Sequence, residues 1–302
     1  VHDAFTRNAT LERLAQSGAI PLDTMAVFAD FLSMYPSVPL KTRTDLGTHY
    51  HTFDYPLILA GFFNKIALDI QTTGQLPQVA AADLSKLDLL LKHDPTGHFT
   101  EDEYRQLQKS KVNPNIVANI ICARNLASYA HENGYRPPAH PPVPEARDAF
   151  SHDWEEAMSM ISTIQTIGEE KAGITPDAAS VRPIITFAQW IRSYPFIPLK
   201  ITSQTGSDYV PFDFNEMVDQ YFQKLSQHVI HGTPVKALGI AEAERGRLIL
   251  QNKALTVELL ANSETTVIHK VDEYNGRISP FTVPNLVIAE RLLSRFMPYL
   301  QE

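Results

Sequence analysis

Apolar residues in this chain return most often at intervals of three and four, the period of a helix that packs on one face. Leu11, Leu14 and Ala15 mark a short amphipathic helix with Gly18 as its stop. Phe28, Phe31, Leu32 and Tyr35 mark a second, ended by Pro36, because proline restricts the residue before it and cannot continue the hydrogen-bond ladder. Asp54, after Phe53, is placed to cap a third helix. Asp83 caps another through Leu87, Leu90 and Leu91, and Pro114 opens the apolar run IVANIICARNLASY. In the second half the same period predicts helices over about 153–167, 183–193, 215–228, 241–261 and 284–300. Long alternating runs are missing, so the expected class is mainly α with little β.

One stretch of this pattern occurs twice. Residues 28–66 and 187–225 align without a gap at an offset of 159. Phe28, Tyr35, Pro36, Pro39, Leu40, Lys41, Gly47, Tyr50, Phe53, Asp54, Phe63 and Lys65 recur as Phe187, Tyr194, Pro195, Pro198, Leu199, Lys200, Gly206, Tyr209, Phe212, Asp213, Phe222 and Lys224. Two copies at so long a period predict a duplicated domain-sized unit rather than a solenoid, with the halves arranged about a pseudo-twofold. A fainter match pairs Pro114-Asn115-Ile116-Val117 with Pro284-Asn285-Leu286-Val287. Each half is expected to run helix, proline turn, helix, loop, helix, with Tyr35 and Tyr194 in equivalent buried places. Between the halves, residues 133–146 open with NGYRPPAHPPVP, whose five prolines in twelve residues favour a stiff extended strap. The expected division is therefore 1–132, a linker over 133–146, and 147–302, forming one compact body.

Composition changes this picture little. With 44% apolar and 20% charged residues, the 302-residue chain is that of an ordinary globular protein large enough for a substantial core. A net charge of -8, without a concentrated Lys/Arg run, argues against non-specific nucleic-acid binding. Cys122 is the sole cysteine, which excludes an intrachain disulfide; within its apolar run it reads as a buried thiol. No apolar run is long enough to span a membrane. No leader is visible, so a cytoplasmic protein is favoured, with a processed secreted one as the alternative.

Candidate chemistry lies where the copies differ. His49 and His51 flank Tyr50, whereas the second copy has Asp208 and Val210. Two residues apart in an extended segment, the imidazoles share a side and can bind a divalent metal, hold an anion or relay protons. His93 and His98 bracket Gly97 with Asp94 alongside, and a His-Asp pair can orient an imidazole for acid–base work. His228 and His231 stand one helical turn apart, a spacing that can chelate metal, though without an HExxH pattern. Residues 92–103 have the outline of an EF-hand loop, but Lys92 stands where the first carboxylate ligand belongs; 271–279 is a fainter parallel. Both read as turns followed by helix caps.

Several short stretches, in order, resemble the haem-thiolate peroxidases, the family of chloroperoxidase and the unspecific peroxygenases. Leu11, Leu14, Ala15, Gly18, Ile20 and Pro21 look like the pattern after that family's ligand cysteine; Lys92-His93-Asp94 with Thr100-Glu101-Asp102 look like its Glu-His-Asp and following turn. Gly168-Glu169 and the helix at Trp190 resemble a later part. Asn8 stands at the position of the thiolate ligand and Lys92 at that of the glutamate. The resemblance implies a haem oxidoreductase of oxygen or peroxide chemistry acting on a small apolar substrate, aromatic ones included. It implies His93 and Asp94 as the acid–base pair and His49 or His51 as axial ligand, with Cys122 the alternative. Two other readings stay open: a non-haem metal enzyme using His49, His51, His93 and His98, and a non-catalytic helical binding or scaffold protein.

Overall fold

A computed structural model describes residues 2–40, 54–76, 102, 105–106, 109, 112–136, 164, 166, 168–173, 175–199, 213–231, 279 and 281–300. These residues are mainly helical and, among them, none is in a strand. The helices are α1 (His2–Gln16), α2 (Leu22–Met34), α3 (Tyr55–Thr73), α4 (Pro114–Glu132), α5 (Ala178–Ser193), α6 (Phe214–Ile230) and α7 (Thr282–Phe296), followed by a short 3₁₀ helix, Met297–Leu300. The chain forms two compact units. The first comprises Val1–Ile66, Leu76–Pro138 and Ser226–Pro234; the second comprises Ala67–Gln75, Ala139–Leu225 and Val235–Glu302.

In the first unit α4 packs against both α1 and α2. The α1 stripe is Ala4, Asn8, Leu11 and Ala15, all buried, with Leu14 at its edge. This helix starts at His2, earlier than the sequence suggests, because a buried amide at Asn8 interrupts an otherwise apolar face. Its end is a Schellman turn: Gly18, at φ 75°, donates to the Ala15 carbonyl while Ala19 donates to Leu14. Pro114 opens α4 behind Asn113, whose side chain accepts from the Asn115 N–H. Gly134 closes it in the same way as Gly18, with Tyr135 donating to Ala130.

The core between α2 and α3 is aromatic. Phe28 meets Tyr55 and Phe62 edge-on at 5.9 and 5.6 Å between ring centroids, and Phe31 meets Phe63 at 5.1 Å. In the second unit, Phe187 meets Phe214 and Tyr221 at 5.9 and 5.3 Å, and Trp190 meets Phe222 at 4.9 Å. Each pair in one unit corresponds to a pair in the other at the 159-residue offset. Edge-to-face contacts of this kind contribute roughly 0.5–1.5 kcal/mol each beyond the area they bury. The hydroxyls differ. Tyr55 donates to the Thr24 carbonyl at 2.9 Å, whereas Tyr221, at the position of Phe62, donates to Trp190 and Tyr194 at 3.0 and 3.2 Å.

The second unit packs α7 on α5, with the 3₁₀ helix against both. Its α5 begins five residues before the proline expected to open it. Asp177 caps the helix, accepting from the Ser180 N–H at 2.7 Å while the Ser180 hydroxyl accepts from the Asp177 N–H at 3.1 Å. Pro183 therefore lies inside the helix. At this proline the end of α3 comes very close: a Cβ on Gly74 would lie 2.4 Å from Arg182 C and Pro183 N. The Thr186 hydroxyl donates to the Gly74 carbonyl, which fastens the contact.

Candidate functional site

Both copies of the Tyr-Pro turn have the same backbone. Tyr35 ends α2 at φ -126°, ψ 55°, its N–H donating to the Phe31 carbonyl. Tyr194 ends α5 at φ -131°, ψ 64°, donating to Trp190. Each is followed by a proline and a second turn bond, from Val38 to Tyr35 and from Ile197 to Tyr194. The tyrosines are not equally covered: Tyr194 is buried, and Tyr35 is half-buried. Burial pushes the Tyr35 hydroxyl up to about 12, so it stays protonated.

A buried asparagine clamps each turn. Asn119, on α4, uses its amide nitrogen to donate to the carbonyls of Pro36 and Val38 at 2.7 and 2.8 Å. Asn285, on α7, does the same to Pro195 and Ile197 at 2.6 and 2.8 Å. Asn119 also accepts from the Asn8 amide at 3.2 Å, which ties α1 to the turn. The four clamped carbonyls again match at an offset of 159, but the asparagines match at 166. This corrects the register suggested by the Pro-Asn strings, which would pair Asn285 with Asn115. The signal in the sequence is an asparagine in an apolar stripe: Asn119, Ala123 and Leu126 are buried in α4, as Asn285, Ala289 and Leu292 are in α7.

The clamp fixes one end of the stretch that carries His49 and His51. Leu40, two residues past the clamped Val38, is buried. At the other end Tyr55 opens α3, held by its hydroxyl on Thr24. His49, His51, His93, Asp94 and His98 themselves lie outside the described residues, as do Asp208 and Val210 and most of the two EF-hand-like stretches. Among the described residues there is no group of three His, Cys, Asp or Glu side chains that could hold a metal, and no helix long and apolar enough to cross a membrane.

Neither described candidate for a sulfur-ligand position fits a haem thiolate. Asn8 is buried and committed to Asn119. Cys122 is fully buried in α4, and burial, with a smaller contribution from Glu12, holds its thiol well above the ordinary range.

His228 and His231 are described. His228 is half-buried on α6, and burial lowers its pKa below the ordinary 6.5, with the His231 charge lowering it further. The unfolded chain therefore binds this proton more readily than the folded one. The stability His228 contributes is fully present above pH 6.5 and is lost as the pH falls from there through the folded value. His228→Gln is expected to flatten that decline; urea unfolding above pH 6.5 and a unit or more below it, in both proteins, checks it.

No known protein family matches this chain, and neither a curated protein nor a solved structure resembles it.

Proposed function

We propose that the protein is a haem-dependent oxidoreductase of oxygen or peroxide chemistry whose site belongs to its first half and takes a small apolar substrate. His49 or His51 would ligate the iron, and His93, oriented by Asp94, would take and return protons. The observation that supports this reading is the anchoring of the histidine-bearing stretch at both ends. Asn119 holds the turn before it, and Tyr55 holds the helix after it. Functional groups on connecting segments need such a rigid frame to be held in place. Asn8 and Cys122 are both buried, and this reading takes imidazole as the ligand. Haem would supply the redox step; the chain would supply ligand, acid–base pair and apolar wall.

A second reading draws on the matching geometry of the two clamped turns. In it the two aromatic, clamped turns are matching binding surfaces of a scaffold protein. Paired substitution separates the two. His49→Ala with His51→Ala is expected to abolish cofactor binding while leaving the helical circular dichroism unchanged, and Asp208→Ala to change neither. Cofactor content equal to wild type in the double histidine variant removes these residues from the site.

A further inference from the structure

The outer face of α7 carries a concavity of about 670 Å³ lined by Glu290, Arg291, Ser294 and Arg295. All four are exposed, while Leu292 and Phe296 are buried, so packing fixes which face looks outward. Arg291 and Arg295 stand one helical turn apart, as do Glu290 and Ser294, so the members of each pair are neighbours. Neither guanidinium is taken up by an ion pair or a hydrogen bond among the described residues. Arg295 lies in the last turn, where a cation suits the partial negative charge of the helix end. That reason does not extend to Arg291, a full turn earlier. The matching helix of the first unit shows that the fold does not require the pair. At the 166-residue offset of the clamping asparagines, Ser128 corresponds to Ser294, but Asn125 and Tyr129 stand where the arginines are. Tyr129 instead turns its hydroxyl to the Gln16 carbonyl at 3.5 Å.

From this arrangement we infer that Arg291, Ser294 and Arg295 bind the phosphate of a small phosphomonoester, with Glu290 accepting from an ammonium or hydroxyl on the same molecule. A guanidinium presents a rigid planar fork of donors to phosphate oxygens and stays charged throughout the working pH range. Two of them match the charge of a phosphomonoester, whose three free oxygens also leave an acceptor for the serine hydroxyl. Glu290 narrows the class. A carboxylate in the same concavity repels an extended polyanion such as a nucleic acid, and the net charge of -8 adds to that repulsion. A compact ligand that sets its phosphate on the arginines and a donor on the carboxylate satisfies every group. The site lies on the second unit, separate from the one proposed above, and does not depend on it.

Calorimetric titration with O-phosphoethanolamine, and separately with inorganic phosphate, tests this in wild type, Arg291→Gln, Glu290→Gln and Arg124→Gln. Arg124 is an exposed arginine of α4 and serves as the control; all three replaced side chains are exposed, so the core is untouched. One phosphoethanolamine site is expected in wild type, unchanged in Arg124→Gln and weakened about tenfold in Arg291→Gln, the loss of a charged hydrogen-bond donor. Glu290→Gln separates the two probes. It is expected to weaken phosphoethanolamine, whose ammonium meets the carboxylate, and to tighten inorganic phosphate, which the carboxylate repels. No binding of either probe by wild type, or equal losses in Arg124→Gln and Arg291→Gln, overturns the inference. Tighter binding of both probes in Glu290→Gln also overturns it, because the carboxylate would then only oppose the ligand.

Discussion

Gly74→Ala is expected to be among the most damaging single-methyl additions in this protein. Gly74 ends α3 at φ 62°, in the left-handed region, where a side chain costs about 1–2 kcal/mol. Its would-be Cβ also lies 2.4 Å from the Arg182 and Pro183 backbone and 2.5 Å from Arg182 Cβ. Backbone cannot rotate away as a flexible side chain can, so overpacking adds about 1–3 kcal/mol, and the total loss is roughly 2–5 kcal/mol. Gly18 gives the comparison. Its φ is 75°, but nothing lies within 4 Å of its would-be Cβ. Gly18→Ala is therefore expected to lose only the conformational part, about 1–2 kcal/mol. Urea unfolding of both variants measures the difference; equal losses would mean that the contact with α5 contributes nothing.

Removing the clamp should be comparably severe. Asn119→Ala strips the donor from the carbonyls of Pro36 and Val38 and the acceptor from Asn8, all within the core of the first unit. A buried polar group left without its partner costs about 1–3 kcal/mol, so a loss of at least about 3 kcal/mol is expected. Asn285→Ala strands the carbonyls of Pro195 and Ile197, with an expected loss of at least about 2 kcal/mol. Combining Asn8→Ala with Asn119→Ala should cost less than the sum of the two, because the second change removes a partner already missing. Losses below about 1 kcal/mol for both asparagine variants would show that the carbonyls find other donors.

The sequence made much of this architecture legible where local chemistry is strict. Proline after Tyr35 and Tyr194 dictated where α2 and α5 end. The helical spacing singled out Phe28 and Phe31, with Phe187 and Trp190, which do meet rings in each core, but not their partners Tyr55, Phe62, Phe214 and Tyr221. Less legible were the features set by a single polar atom. Pro183 read as a helix start because proline favours first turns, but Asp177 supplies a better cap and starts the helix at Ala178. The match between α4 and α7 was placed four residues out of register because the Pro-Asn strings look alike, whereas burial selects Asn119. Nor could the exchange of hydroxyls between Tyr55 and Tyr221 be assigned, since an aromatic pattern does not say which carbonyl a phenol will reach. For the candidate site, the difference between the copies pointed to His49 and His51 by residue type, and the sequence could not show the two anchors beside them. Those depend on Asn119 and Thr24, more than sixty and about twenty-five residues away along the chain.

The proposed activity rests on a cofactor held by imidazole in the first half, and a visible absorption spectrum tests it most directly. Protein produced with haem supplied and then purified should show a Soret band with about one iron per chain, as expected for a single histidine-ligated haem. The band should vanish or shift in the variant carrying His49→Ala and His51→Ala. A colourless, iron-free wild-type protein would contradict the account.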